Sequence, residues 1–236
     1  MTASPELRDK LLLAHQILSI YGAFELNLGH VSVRLDEPDR YLIIGHIHHL
    51  GKSFDDLAPE HLTIMDGSGE VVEGELKPPG ERFIHTEIYK ARPDVGSVAH
   101  AHPHTSVAFS VSGTDILPIG HRGTIFAPKV RVLGNPGQID GPALGREVAE
   151  ALGGTPALLL AGHGVVCVGG SIEEAVTVLI ALEDTAKLQL TAGLAGDPRP
   201  IKADHLEGGM THGIEFSEFV ECTWAAYAAR VTKSKR

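Results

Sequence analysis

The stretch that most constrains this chain is His-Ala-His-Pro-His at 100–104, directly after the apolar run Val95-Gly96-Ser97-Val98-Ala99. A strand sends residues i and i+2 to the same face, so His100 and His102 are expected to project side by side from one strand end. Pro103 lacks a backbone donor and is poorly tolerated in a central strand, so it should end the ladder and leave the imidazoles at a sheet rim. Two convergent imidazoles are half a metal site. A third candidate is His163, set in Gly162-His163-Gly164 between the apolar runs 157–161 and 165–168, where glycines let backbones approach closely. Three neutral imidazoles with a fourth position open is the usual arrangement of a catalytic zinc-type centre. The plainer alternative is three rim histidines bonded to backbone carbonyls.

The flanking segments read as a mixed sheet covered by helices. Ser4-Pro5-Glu6 caps a helix with Leu7, Leu11, Ala14 and Leu18 at helical spacing and Gly22 as its stop. The segments 31–35 and 41–44 form one expected hairpin, and 62–65 with 71–72 a second around a glycine-rich turn. Lys77-Pro78-Pro79-Gly80 is a rigid turn that delivers Glu81 to the first turn of a helix ending near Arg92, with Glu81 and His85 on one face. By position alone, Glu81 reads as a structural acid complementing the helix dipole. A short helix is expected over 105–111, a strand over 129–133, and helices over 141–152, from the Ser171–Glu174 capping box to about Ala192, and from Phe216 to about Val231. No linker intervenes, so residues 1–236 are expected to form one domain.

Composition excludes several roles. A formal charge of −10 argues against nucleic-acid or anionic-membrane binding, which both need basic surface. No run approaches the roughly 18 apolar residues of a membrane span. The start Met1-Thr2-Ala3-Ser4 shows neither a basic segment nor an apolar signal core, and the two cysteines, Cys167 and Cys222, suit a reducing compartment, so a cytoplasmic protein is expected. Cys167 lies in an apolar run and reads as an inert core residue. With an acidic chain, any anionic substrate has to be held by a local positive cluster. The loop carrying His46, His48 and His49 is open to two readings, substrate-side or simply solvated.

Lys77 to Thr105, with Pro-Pro-Gly-Glu, Phe-Ile-His, Ile-Tyr-Lys-Ala-Arg-Pro-Asp-Val and His-Ala-His-Pro-His, closely resembles the class II aldolase/adducin family. Gly29-His30-Val31-Ser32-Val33-Arg34 and Leu160-Ala161-Gly162-His163-Gly164 add to the resemblance, which covers about residues 6 to 230. It implies an α/β/α three-layer sandwich on a central mixed, mainly antiparallel sheet, and a homotetramer with active sites between subunits. By motif position, it implies His100, His102 and His163 as ligands of one divalent metal ion per chain (zinc, manganese or cobalt), with Glu81 as the acid/base residue. Sugar-phosphate aldolases of the family place serines before the catalytic Glu and an amide in the early turn. Here those positions are Pro79-Gly80 and Gly29-His30, which offer no such phosphate cradle. The sequence resembles instead the branch that decarboxylates hydroxylated aromatic or pyridine dicarboxylates through a metal-stabilised carbanion or enediolate. His30, Arg34, His48 and His49 are then candidates for holding carboxylate, although Arg34 equally suits an outward strand charge and His30 a turn cap. The resemblance also raises Tyr227 or His212 as residues reaching a neighbouring subunit's site. The alternatives are an aldolase, epimerase or dehydratase acting on a small non-phosphorylated hydroxy-carbonyl compound.

Overall fold

Ser4 turns the chain into its first helix: its Oγ accepts the Leu7 amide at 3.2 Å and Pro5 occupies the first turn, giving α1 (Pro5–Ile20). The computed structural model describes residues 3–24, 28–47, 50–134, 137–202 and 215–234. The alternating segments that follow pair as anticipated. β1 (His30–Arg34) and β2 (Tyr41–Ile44) form one hairpin, and β3 (Leu62–Met65) and β4 (Val71–Glu73) another. The turn of the second is built on Asp66, whose Oδ1 accepts the Ser68 and Glu70 amides.

The remaining elements are α2 (Arg82–Ala91), β5 (Ser97–Ala101), α3 (His104–Ser112), α4 (Gly120–Gly123), β6 (Arg131–Leu133), α5 (Pro142–Leu152), β7 (Ala157–Leu160), β8 (Gly164–Gly169), α6 (Ile172–Gly193) and α7 (Phe216–Ser234). The eight strands make one sheet in the order β4-β3-β2-β1-β5-β8-β7-β6. Only β6 and β7 run parallel; the other neighbours are antiparallel. The sheet is thus mixed and mainly antiparallel, as expected. The strand anticipated over 129–133 begins at Arg131, because the Val130 amide is already given to the Ile116 carbonyl at 3.1 Å.

Alternation assigns the layers. Ser32 of β1 meets His85 and Tyr89 of α2, so α2, with α5 packed on it, covers that face. α1 contacts β1, α6 contacts β5 and β8, and these helices with α7 form the other layer. Between them lie fully buried apolar residues of the central strands, Val98, Ala99, Val165, Val166 and Leu158 among them. Burial raises the Cys167 thiol well above its ordinary value in this layer, which fits a packing residue. Among the described residues no helix is long and apolar enough to cross a membrane.

β5 lies mid-sheet between β1 and β8, yet its C-terminal end opens to the rim. His100 is opposite His30 on one side and Val166 on the other. His102 follows the strand, and Pro103 is the N-cap of α3. Pro103 therefore ends the ladder at the place its missing donor dictates.

Candidate metal centre

Three backbone features bring the histidines together. β5 carries His100 to the rim, where its Nδ1 donates to the Val165 carbonyl at 3.0 Å, leaving Nε2 with a free lone pair. The β7–β8 turn presents His163, with Gly162 in the left-handed region at φ +67°. At Gly164 a Cβ would lie 2.5 Å from the Ala101 carbonyl oxygen, 2.8 Å from His102 Cδ2 and 3.1 Å from His100 Cε1. The second glycine of Gly-His-Gly is therefore required by the closeness of β8 to β5, and that closeness sets His163 against the other two imidazoles.

Glu81 completes the group. It is the N-cap of α2 rather than a first-turn residue, with φ −88° and ψ 23°, and its side chain makes no capping hydrogen bond. The carboxylate turns instead to the imidazoles: Oε2 lies 3.3 Å from His100 Nε2 and Oε1 3.3 Å from His163 Nε2, while Oε1 also accepts the Ile139 amide at 2.9 Å. Ligand atoms from Glu81, His100, His102 and His163 all fall within 4.8 Å of one another. Among the described residues His100 Nε2, His102 Nδ1 and His163 Nδ1 are buried without a hydrogen-bond partner. A buried, unpaired nitrogen is costly, and a cation at the cluster would satisfy His100 Nε2 directly. Three nitrogens and one carboxylate oxygen in this space suit a divalent transition metal.

The electrostatics agree with that use. Burial pushes the Glu81 carboxyl up, but its contacts with His100 and His163 and the Ile139 amide outweigh it and hold the group ionised well below the usual range. Burial, then neighbouring His100 and His163, lowers His102 to about 3. A neutral imidazole and an ionised carboxylate are the forms that bind metal.

The cluster opens into a cleft of about 660 Å³ lined by Gly29, His30, His46, Lys77, Glu81, Arg82 and His102, with others. His30 anchors a buried chain of polar groups. Its Nδ1 is 2.6 Å from His85 Nε2, His85 Nδ1 is 2.7 Å from Ser32 Oγ, and Ser32 Oγ is 2.8 Å from the Tyr89 hydroxyl. His30 is thus held by a string of hydrogen bonds reaching back through the sheet–helix interface, more than a turn cap would need.

Other anticipated substrate residues fall elsewhere. Arg34 is a correction: it sits at the opposite end of β1 from His30, four residues or about 13 Å away. Its guanidinium donates to the carbonyls of Val95 at 3.0 Å, Tyr89 at 2.8 Å and Arg92 at 3.0 Å, and lies 4.8 Å from the centre of the Tyr89 ring. Those bonds tie β1 to the end of α2, and Arg34 is not among the residues lining the cleft. Tyr227 is likewise not in its own chain's cleft. It is buried against Tyr21, ring centres 4.7 Å apart, and its hydroxyl accepts from Arg122 at 3.4 Å. His48, His49 and His212 lie outside the described residues; His46 does line the cleft.

The sequence reading left His85, Ser32, Lys77 and Arg82 out of the site. A signal existed for the first two. His30 and Ser32 share a strand face at period two, and His85 and Tyr89 share a helix face at i, i+4, so the two polar pairs only needed to be placed face to face. Nothing local indicated that α2 covers that face of β1.

Comparison with known proteins follows the same geometry. The family described as Class II Aldolase and Adducin N-terminal domain matches residues 9–190. A 3,4-dihydroxyphthalate decarboxylase of Terrabacter sp. is 32% identical over 227 residues, covering 92% of this chain and 94% of that one. Among solved structures, an aldolase II superfamily protein from Pseudomonas syringae superposes with a TM-score of 0.84 at 25% identity, over 98% of this chain and 95% of the other. An L-fuculose 1-phosphate aldolase from Glaciozyma antarctica gives 0.81 at 25% identity, over 100% and 94%.

Proposed function

The chain belongs to the class II aldolase/adducin family, and from that premise we propose that it is a metal-dependent lyase that decarboxylates a hydroxylated aromatic dicarboxylate. The observation that carries this reading is the Glu81 carboxylate. It is free of any capping role and is set 3.3 Å from two imidazole nitrogens at the foot of a cleft. The decarboxylase name of the Terrabacter relative supports the choice of reaction. Pro79 and Gly80, which line the cleft without a side-chain donor, weigh against a phosphorylated sugar.

A divalent cation held by His100, His102 and His163 (zinc, manganese or cobalt by the donor set) would supply Lewis-acid stabilisation of negative charge on the substrate. The chain's own residues handle the proton. Glu81, ionised before substrate arrives, accepts the proton of the hydroxyl ortho to the departing carboxylate. The bond from the ring to that carboxylate breaks, CO₂ leaves, and the electron pair remains at the ring carbon. Glu81 returns its proton to that carbon, and one proton from solvent restores the hydroxyl, so a carboxylate and a proton become CO₂ and an aryl hydrogen. His30, fixed through His85 and Ser32, orients the substrate from beside His100, their ring centres 5.1 Å apart. In this reading residues 1–236 act as one domain in the cytoplasm, assembled as a homotetramer with the cleft beside a neighbouring subunit.

The test is direct. Metal-loaded protein should release CO₂ from an ortho-hydroxylated phthalate, and Glu81→Gln should keep metal and fold while kcat falls about 100-fold or more. Absence of CO₂ with any hydroxylated aromatic acid, or near-normal kcat in Glu81→Gln, would sink the assignment. Aldol cleavage of a small hydroxy-carbonyl compound is the second reading, favoured by the likeness to a fuculose-phosphate aldolase, and aldehyde release in place of CO₂ would identify it.

A further inference from the structure

The acidic chain needs a positive cluster to hold an anion, and Arg34 does not provide it. Most described arginines are committed elsewhere: Arg8 to Glu73 at 2.6 Å, Arg92 to Asp94 at 2.6 Å and Arg122 to Asp184 at 2.7 Å. Two cations in the cleft are not. Among the described residues Arg82 has no carboxylate or carbonyl partner, and its Nε is buried without a hydrogen bond. Its guanidinium rests 4.5 Å from the centre of the Phe83 ring, and Gly69 of the β3–β4 turn is close enough that a Cβ there would lie 2.6 Å from Nε. The fork is therefore clamped in place while its hydrogen-bonding edge remains unspent. Lys77 lines the same cleft, exposed and without an ion pair among the described residues, on a backbone whose carbonyl is fixed by the His46 amide at 2.7 Å. Glu70 is the one other carboxylate besides Glu81 among the residues lining the cleft; it is exposed, leaving two cations against one anion away from the histidine cluster.

We propose that Arg82 and Lys77 form a carboxylate subsite that holds the carboxylate the reaction keeps, while the carboxylate that is lost lies against the His100, His102 and His163 cluster. The substrate is then a dianion, an aromatic dicarboxylate rather than a hydroxybenzoate. The planar guanidinium suits bidentate contact with a carboxylate, and the ammonium adds a point charge beside it. This inference rests on the decarboxylase reading for the identity of the lost group, but the subsite itself does not.

The experiment separates the two. Metal-loaded wild-type protein is titrated with phthalate, which has both carboxylates but no hydroxyl, and with benzoate as the single-carboxylate control. Phthalate should bind the more tightly, and Arg82→Met or Lys77→Met should weaken it about tenfold or more, with Arg82→Lys recovering part of the loss. The ratio of kcat/KM for a hydroxylated phthalate over the matching hydroxybenzoate should fall by a similar factor. Equal binding of phthalate and benzoate by the wild type, or unchanged phthalate affinity in both methionine variants, overturns the subsite. If phthalate binding behaves as stated but no substrate loses CO₂, the subsite stands and the decarboxylase reading fails. Should Arg82→Met unfold, Lys77→Met carries the test, since that side chain is exposed.

Discussion

His15 and His85 are both fully buried, and they differ in what surrounds them. His15 is satisfied within the core: Nδ1 donates to the Leu11 carbonyl at 2.7 Å, Nε2 accepts the Val31 amide at 3.1 Å, and the ring stacks on Phe54. His85 joins His30 to Ser32 behind the cleft. Burial lowers His15 to about 4, and burial together with His100 lowers His85 to about 3. A folded value below the unfolded one near 6.5 means that the unfolded chain binds the proton more readily. The contribution of each group is therefore complete above about pH 6.5 and is lost as the pH falls towards 4 for His15 and 3 for His85. Between pH 6.5 and 5 each loses at most about 2 kcal/mol. Metal-free protein should accordingly melt about 5 °C lower, or more, at pH 5 than at pH 7 in a calorimetric scan. An unchanged Tm would show that neither imidazole is held neutral by the fold.

The element that most directly supports the centre is the turn from β5 into α3. α3 starts immediately after His102-Pro103 and has no side-chain cap of its own. Its first turn is satisfied from another helix: Glu183 of α6 accepts the Thr105 amide at 3.2 Å, the Ser106 amide at 2.9 Å and the Ser106 hydroxyl at 2.8 Å. Glu183→Ala would leave these buried donors unpaired at the segment that aims His102. A loss of about 3 kcal/mol in unfolding free energy by urea titration is expected, together with weaker zinc binding. Glu183→Gln, which can still accept, should lose less. A cost below about 1 kcal/mol with unaltered metal affinity would show that α3 holds itself in place.

For the whole molecule, the homotetramer proposed above can be tested against the exposed apolar side chains. Val111 is 64% exposed and Leu194 86%, with Leu188 and Leu190 also exposed on α6. Single exposed leucines are ordinary, but Leu190 and Leu194, four residues apart, fall on one side of the α6 C-terminal end and make a candidate contact surface. A second opening of the centre, lined by Gly137, Gln138, Ala161, Gly162 and His163, would then be covered by a neighbour. Specific activity should fall on dilution in step with the loss of tetramer seen by light scattering. A monomer that retains full activity would show that each chain carries a complete site. Tyr227, packed on Tyr21 within its own chain, does not need a partner subunit to explain it.

The two hairpins, the approximate helix spans and the convergence of three histidines were legible in the sequence, because each rests on local rules. Alternation sets strand faces, capping residues set helix starts, and Pro103 and Gly162-His163-Gly164 mark where the backbone must stop or approach. The sandwich came through resemblance to a family rather than through periodicity. What only the tertiary structure decided was which polar groups had already found partners. Arg34 and Arg82 are both arginines at the end of an element, and nothing in their neighbours along the chain tells them apart. Packing gives Arg34 three carbonyls and leaves Arg82 with an aromatic ring and an open fork in the cleft. Likewise the Glu81 side chain is spared from capping only because the His100 and His163 imidazoles and the Ile139 amide, from remote parts of the chain, converge on it. Hydrogen-bond satisfaction in the interior is settled by residues far apart in sequence, and a local reading has no access to them.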